Sequence, residues 1–161
     1  MDHEGLRIER RDAIAILTLE RPEAANGIDL ALGRALMQAA IALDEDRSVR
    51  AVVLTGAGRF FCAGGDLEAF SAFGDALPER LKELTTYLHA AIARFARMAP
   101  PVIAAVNGPA AGAGMSLALA CDLVVAEDSA AFTLAYTGAG LSPDGSSTWF
   151  LPRLIGDQRT R

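Results

Sequence analysis

The feature that most limits the fold is an uncharged stretch at 102–121, VIAAVNGPAAGAGMSLALAC. A membrane helix needs about twenty mainly large apolar residues in one continuous helix. Here Asn107-Gly108-Pro109 interrupts the run near its start, and much of the remainder is Ala and Gly. Because proline lacks the N–H that a helix interior requires, the stretch predicts a buried strand, a turn and the start of a helix. We therefore expect no membrane span.

The same stretch fails to match the glycine motifs of nucleotide-binding loops. Leu117 stands where the pattern G-x-G-x-x-G, begun by Gly112 and Gly114, needs its third glycine. The Walker pattern fails as well, because no Lys-Ser or Lys-Thr follows. Lys82 is the only lysine and the net charge is −5, whereas a nucleic-acid surface needs clustered Lys and Arg. We expect neither a dinucleotide site nor a nucleic-acid partner.

Strand and helix patterns alternate along the chain. The strand patterns are apolar runs that end in turns, at 13–20, 49–58 and 101–108, followed by one or two short strands within 122–134. The helix patterns run from 28 to 43 and from 77 to 98, with helix starts near 67 and 112 and a last short helix, broken by Pro152, before a glycine. No linker divides the chain, so we predict one α/β domain over 1–161 with a largely parallel sheet.

Two segments of the chain share one sequence pattern. AVVLTGAGRFFCAGGDLEAF and PVIAAVNGPAAGAGMSLALA each read as buried strand, turn, Ala/Gly cluster and helix start. Each would bring unobstructed backbone N–H groups to the positive end of a helix dipole. If the two turns lie side by side, one N–H from each could converge on a single oxygen and form an oxyanion hole. Small residues also suit plain packing of helix on strand, and both interpretations stay open here.

Few other residues suggest chemistry. Cys62 and Cys121 lie far apart with no C-x-x-C pair and no nearby histidine, so we expect small buried residues and neither a metal site nor a disulfide. His3 lies near the N-terminus, and His89 lies beside the apolar stripe of a predicted helix, as a general base or as a solvated or hydrogen-bonded histidine. The start, MDHEGLRIERRD, has no apolar secretory segment, which favours a cytoplasmic location.

Three stretches carry a resemblance to a known family: LERPEAANGID, AVVLTGAGRFFCAGGDL and the long run from PPVIAAVNG at 100 to LPRLIG at 156. They resemble, in the same order and over nearly the whole chain, the crotonase superfamily, also called the enoyl-CoA hydratase/isomerase family. The resemblance implies a spiral of ββα units, an acyl-CoA substrate with no separate cofactor, and a homotrimer or dimer of trimers. The chain ends where family members begin another helical segment, so a core truncated at its C-terminal end is expected.

The resemblance also assigns site residues. It places the two oxyanion N–H donors on Gly65 and Ala113, and it gives the AANGI loop backbone contacts to the adenine end of CoA. Asp66 occupies a position at which the family aspartate is usually structural. The further acyl-CoA contacts that the resemblance implies are Ala24, Ala25, Ala63, Gly64, Asp66, Leu67, Gly112, Ser116 and Tyr136.

Three positions separate this chain from the family's hydratases. By the resemblance, the two glutamates that activate and protonate water fall on Ser116 and Tyr136, and neither residue ionises readily near neutral pH. Ordinary hydration of an enoyl-CoA is therefore not expected. Asp144, in GLSPDGSS, aligns with the acid/base or nucleophilic aspartate of certain isomerases and of the aryl-CoA dehalogenase. From the residues alone, Asp144 is equally a turn or helix-cap residue.

These observations predict an acyl-CoA isomerase, most similar to the ring-epoxyphenylacetyl-CoA isomerase branch. Gly65 and Ala113 would hold an enolate oxygen while Asp144 carries a proton between two carbons. One alternative uses Asp144 as nucleophile or base in thioester hydrolysis or dehalogenation, or retains a hydratase-like reaction. Another is a catalytically silent acyl-CoA-binding protein, suggested by Ser116 and Tyr136.

Overall fold

A computed structural model describes residues 2–160 and contains a six-stranded sheet in the order β1-β2-β3-β4-β5-β7. The strands are β1 (Asp2–His3), β2 (Leu6–Arg11), β3 (Ile14–Leu19), β4 (Ala51–Gly56), β5 (Val102–Val106), β6 (Ala110–Ala111), β7 (Leu123–Ala126) and β8 (Phe132–Thr133). The pairs β3–β4, β4–β5 and β5–β7 are parallel. This confirms the predicted α/β class with a largely parallel sheet.

The six α-helices are α1 (Leu30–Glu45), α2 (Leu67–Ser71), α3 (Leu77–Phe95), α4 (Ala113–Leu119), α5 (Ser147–Ile155) and α6 (Asp157–Thr160). Asp29 starts α1, because its carboxylate accepts the Leu32 N–H at 2.8 Å and satisfies a donor that the first helical turn leaves free. The apolar stripe of α3 buries Leu84, Leu88 and Ile92 in the core, as the spacing predicted.

The short strands form a second layer that explains the spiral. Strands β6 and β8 pair in parallel, and single parallel bridges join Ile28 to Gly65 and Cys62 to Ala110. Each repeat of the spiral thus contributes one strand to the large sheet, one short extended segment to the second layer, and then a helix. This is the ββα repeat implied by the family resemblance.

Two features differ from the sequence predictions. The hairpin of β1, β2 and β3 is antiparallel, and its first two strands were not anticipated because LRIERR is mostly charged. Pro152 was expected to break the last helix, and that expectation was wrong: α5 continues through it to Ile155, and Gly156 follows as its C-cap. Pro152 has no N–H for the carbonyl of Thr148, but Thr148 is on the exposed side of the helix, where water can supply the donor.

The uncharged stretch at 102–121 divides as predicted into strand, turn and helix start. It forms β5, the short strand β6 and α4, and every residue of α4 is buried. Both cysteines are buried and free, as expected. Within residues 2–160, no helix combines the length and the hydropathy needed to cross a bilayer.

Asn26 holds the loop between β3 and α1 against the rest of the fold. Its side chain is fully buried, and its Nδ2 donates to the carbonyls of Ala57 (2.9 Å) and Phe60 (2.7 Å). Its Oδ1 accepts the N–H of Arg21 at 2.9 Å. The backbone of Asn26 is left-handed, with φ of 56°, a conformation that asparagine tolerates better than most residues.

We expect Asn26→Ala to lower the free energy of unfolding by about 2–3 kcal/mol, because it leaves several buried backbone groups without partners. Urea unfolding followed by circular dichroism measures the loss. Asn26→Gly is the control: it removes the same hydrogen bonds but relieves the left-handed backbone. If Asn26→Gly restored full stability, backbone strain and not the hydrogen bonds would explain the effect.

Candidate active site

An apolar cavity of about 230 Å³ lies between α2, α3 and the two Ala/Gly turns. Leucines of α3 and Phe70 of α2 form one wall, and the turn around Tyr136 forms another. The two turns close the inner end with Gly64, Gly65, Gly112 and Ala113. Of the residues that line the cavity, Asp144 is the only carboxylate.

Gly65 and Ala113, the two expected N–H donors, both line this cavity. Their neighbours are engaged: the carbonyl of Gly64 accepts the Ile28 N–H at 2.7 Å, and the Asp66 N–H donates to the carbonyl of Ile28 at 3.1 Å. Across residues 2–160, neither the Gly65 N–H nor the Ala113 N–H donates to a protein acceptor. Two unpaired donors at one end of an apolar cavity are what an oxyanion hole requires.

Close backbone contact brings the two turns together. The Ala111 N–H donates to the carbonyl of Cys62 at 2.9 Å. A Cβ added to Gly64 would lie 2.9 Å from the carbonyl oxygen of Ala111, and one added to Gly114 would lie 2.3 Å from that of Cys62. The glycines therefore serve the packing role that the sequence left open, and this packing places Gly65 and Ala113 in the wall of one cavity.

Asp144 lies in the cavity wall, between the side chains of Tyr136 and His89. The Tyr136 hydroxyl donates to Oδ1 at 2.7 Å, and His89 Nε2 lies 3.1 Å from Oδ2. Burial alone would raise the pKa of Asp144, but the hydrogen bonds from His89 and Tyr136 and the charge on His89 outweigh it and lower that pKa. The same hydrogen bond raises the pKa of His89. The pair therefore favours a charged carboxylate next to a charged imidazole.

Comparison with known proteins agrees with this geometry. A family model described as enoyl-CoA hydratase/isomerase matches residues 9–161. The chain belongs to this family. A crystal structure of an enoyl-CoA hydratase from Polaromonas sp. JS666 superimposes with a TM-score of 0.88 at 40% identity, covering 96% of this chain and 60% of that one. The shared fold confirms the crotonase-like spiral.

The relatives of this enoyl-CoA hydratase/isomerase family member carry three different names. A probable enoyl-CoA hydratase of Rhodobacter capsulatus is 45% identical over 99% of the chain and 60% of the relative. The 4-chlorobenzoyl coenzyme A dehalogenase-1 of an Arthrobacter species is 39% identical (98% and 57%), and the 1,2-epoxyphenylacetyl-CoA isomerase of Escherichia coli is 40% identical (91% and 56%). The chain therefore spans less than two thirds of the length of these relatives, and their names leave the specific activity open.

Several other residues that the sequence assigned to the site line the cavity: Ala63, Gly64, Leu67, Gly112 and Tyr136. Ser116 does not; it is fully buried behind Tyr136, with its Oγ 2.7 Å from the tyrosine Oη. Ala24 and Ala25 are half-buried in the preceding loop, outside the cavity wall. The carbonyl of Ala25 accepts the Ala63 N–H at 3.0 Å, so that loop supports the first turn.

Asp66 is also outside the cavity wall and has a structural environment. It caps α2 by accepting the Ala69 N–H at 3.0 Å, and it pairs with Arg21 at 2.9 Å. Burial opposes its charge, but the Ala69 N–H and the Arg21 guanidinium together lower the pKa of Asp66. Asp66 therefore fixes the helix that follows Gly65.

The contact between His89 and Asp144 is the feature that sequence reasoning missed. The two residues are 55 positions apart, and His89 was considered as a general base only in isolation. The signal available was its position beside the apolar stripe of α3, at the edge of the face that packs on the core. Pairing it with Asp144 required knowing that α3 crosses the loop before α5.

We expect Gly114→Ala to lower the free energy of unfolding by about 1–3 kcal/mol, since the added Cβ meets the Cys62 backbone and cannot be relieved by a side-chain rotation. Urea unfolding measures the change. Gly138→Ala is the matched control, because a Cβ there meets nothing within 4 Å. Equal stability of both variants would contradict the close contact between the turns.

The His89–Asp144 pair predicts a pH window of added stability. His89 has a raised pKa when folded, so its contribution is complete below its ordinary value of 6.5 and is lost as pH rises through the folded pKa. Asp144 has a lowered pKa, so its contribution is complete above 3.8 and is lost as pH falls through the folded pKa. The urea midpoint of the wild type minus that of Asp144→Asn should therefore be largest between pH 3.8 and 6.5. A difference that does not vary with pH would rule out the ion pair.

Proposed function

We propose that this chain isomerises acyl-CoA thioesters through an enolate. The observation that carries the proposal is the single carboxylate, Asp144, in the same apolar cavity as the unpaired N–H groups of Gly65 and Ala113. A shift of a double bond needs one group that removes a proton from one carbon and returns it to another. It needs no second carboxylate and no water.

The reaction follows from the positions of these groups. The thioester carbonyl accepts hydrogen bonds from Gly65 and Ala113, and Asp144 removes a proton from the acyl chain. The electron pair of the broken C–H bond passes to the carbonyl oxygen, where each N–H stabilises the negative charge by about 3 to 4 kcal/mol. Asp144 then returns the proton at the new carbon and is regenerated. The apolar walls exclude water that would compete for these hydrogen bonds.

The environments of Ser116 and Tyr136 argue against the two-carboxylate hydration used by family hydratases. Burial is the largest cause that raises the pKa of Tyr136, and the hydrogen bond to Asp144 adds to it. Tyr136 therefore stays protonated at neutral pH and is a poor base. Ser116 is outside the cavity wall and cannot reach a water in it.

A second candidate, nucleophilic displacement by Asp144, is favoured by the His89 contact. An ionised carboxylate held by a cationic imidazole can attack an electrophilic carbon of an acyl-CoA ester and expel its leaving group, forming an ester with Asp144. Water then cleaves that ester. Two relatives at 39% identity are named 4-chlorobenzoyl coenzyme A dehalogenases, which supports testing halogenated aryl-CoA esters beside the enoyl and epoxide esters.

We expect Asp144→Asn to lower kcat about 100- to 10,000-fold with a β,γ-enoyl-CoA or ring-epoxide CoA ester, because it removes the acid/base group. KM should change little, since the two amides and the apolar walls remain. A spectrophotometric turnover screen of enoyl-, epoxide- and aryl-CoA esters measures this. Asp75→Asn, at an exposed turn, is the matched control and should retain full activity. Full isomerase turnover by Asp144→Asn would overturn the assignment.

Labelled water separates the two chemistries. Isomerisation leaves the Asp144 carboxylate unlabelled after turnover in ¹⁸O water, whereas displacement and hydrolysis place ¹⁸O in it. Mass spectrometry of the peptide that contains Asp144 reads the result. Binding of CoA esters with no turnover across the panel would instead favour a silent acyl-CoA-binding protein and contradict both reactions.

A further inference from the structure

Three side chains form a continuous line of hydrogen bonds that begins in the cavity wall and runs into the core. Ser116 Oγ lies 2.7 Å from Tyr136 Oη, and Tyr136 Oη lies 2.7 Å from Asp144 Oδ1. Ser116 is fully buried and Tyr136 is 8% exposed, so bulk water does not compete at these contacts. By the family resemblance, Ser116 and Tyr136 are the two positions at which hydratases carry their glutamates.

The order of the protons along this line follows from the ionised state of Asp144. An ionised carboxylate can only accept, so the Tyr136 hydroxyl must donate its single proton to Asp144. Tyr136 then has no proton left for Ser116, and the 2.7 Å contact between the two hydroxyls requires Ser116 to donate to Tyr136. The sequence of donors is Ser116 to Tyr136 to Asp144.

The alternative acceptors for the Ser116 proton already have donors. The carbonyl of Gly112 lies 3.3 Å from Ser116 Oγ and accepts the Ser116 N–H at 3.0 Å. The carbonyl of Asp144 lies 3.1 Å from Ser116 Oγ and accepts both the N–H and the hydroxyl of Ser147, at 3.1 and 2.9 Å. Both carbonyls therefore have a donor without Ser116, and they lie farther from Ser116 Oγ than Tyr136 Oη does at 2.7 Å. The shortest contact assigns the Ser116 proton to Tyr136, whose hydroxyl oxygen has no other donor among residues 2–160.

We propose that Ser116 and Tyr136 form a directional hydroxyl relay that positions the Asp144 carboxylate for the proton transfer proposed above. Tyr136 holds Oδ1 while His89 holds Oδ2, so the carboxylate cannot rotate about its last bond without losing one of the two. A hydrogen bond donated by Ser116 strengthens the one that Tyr136 donates, because donors in a chain polarise one another. Ser116 and Tyr136 are positioning residues that act through Asp144.

Few charged groups near Asp144, apart from His89, could shift its pKa. His89 is the only side chain able to carry a positive charge within ion-pair distance of Asp144 in the described chain. Helix α4 carries no titratable residue, and the turn at 136–139 carries only Tyr136. The one charged residue of α5, Arg153, lies over the ring of Trp149 and donates to the carbonyl of Trp149.

The first test needs no substrate. In protein labelled with ¹³C at the aspartate carboxyls, with Asp144→Asn to assign the signal, we expect Tyr136→Phe to raise the pKa of Asp144, because a donor to the charged form is lost. Ser116→Ala should raise it by less. Tyr87→Phe is the matched control: Tyr87 is the only other tyrosine, and its hydroxyl bonds to Glu83 and Arg34. An Asp144 pKa unchanged in both Tyr136→Phe and Ser116→Ala would overturn the relay.

The second test is a double-mutant cycle on turnover. We expect Tyr136→Phe to lower kcat roughly ten- to a hundredfold with little change in KM, and Ser116→Ala to lower it about three- to tenfold. The acid limb of the pH profile should move to higher pH in Tyr136→Phe, which a purely structural loss would not cause. Because Ser116 acts through Tyr136, the double variant should match Tyr136→Phe within about twofold. Independent, multiplying effects would contradict the relay.

The relay rests on the proposed isomerase function, but the two fail differently. A raised Asp144 pKa in the variants, together with no turnover of any ester, supports the relay and contradicts the isomerase. Isomerase turnover with an unmoved Asp144 pKa and an unmoved acid limb contradicts the relay and leaves the isomerase in place. Ser71→Ala, at an exposed serine, controls for the loss of a hydroxyl and should change neither measurement.

Discussion

The site depends on close contact between the backbones of two turns. The space between them is too small for a side chain. The hydrogen bond from Ala111 to Cys62 joins the second layer, and Gly114 lies so close to the Cys62 carbonyl that only a hydrogen fits between them. Because β4 and β5 are parallel neighbours, both turns leave the same edge of the sheet. Sheet register and glycine packing together bring the Gly65 and Ala113 amides into one cavity.

The charge distribution in the cavity is simple, because Asp144 is the only charged residue that lines it. Two amides at one end favour negative charge on a bound oxygen, and the only carboxylate stands at the side, where Tyr136 and His89 satisfy it. Without such donors, burial would raise the pKa of the Asp144 carboxylate and make its ionised form less favourable. His89 is nearly half exposed, so it stabilises the charge on Asp144 while remaining open to solvent.

The sequence alone predicted the elements whose structure is determined by residues close together in the chain. The buried strands, the long stripe of α3 and the strand-turn-helix character of 102–121 follow from residue spacing, and the resemblance placed Gly65 and Ala113 on two turns that the fold does bring together. The antiparallel hairpin at the N-terminus was missed because charged residues on a sheet edge weaken the apolar pattern. The contacts of Asp144 were missed because they join elements that are distant in sequence, and no spacing rule reaches across 55 residues.

In the proposed reaction, Ser116 and Tyr136 act as neutral supports for the Asp144 carboxylate, which explains their presence better than the loss of two glutamates alone. Tyr136 touches the Asp144 carboxylate directly, and Ser116 touches Tyr136. A glutamate at position 136 would place a second carboxylate against Asp144, and a like charge at that distance strongly raises the pKa of one of the two groups. A glutamate at position 136 would therefore make the ionised form of Asp144 harder to maintain in this apolar cavity. Two neutral hydroxyls at these positions donate where carboxylates would repel, so the substitution of both positions and the presence of Asp144 form one electrostatic arrangement.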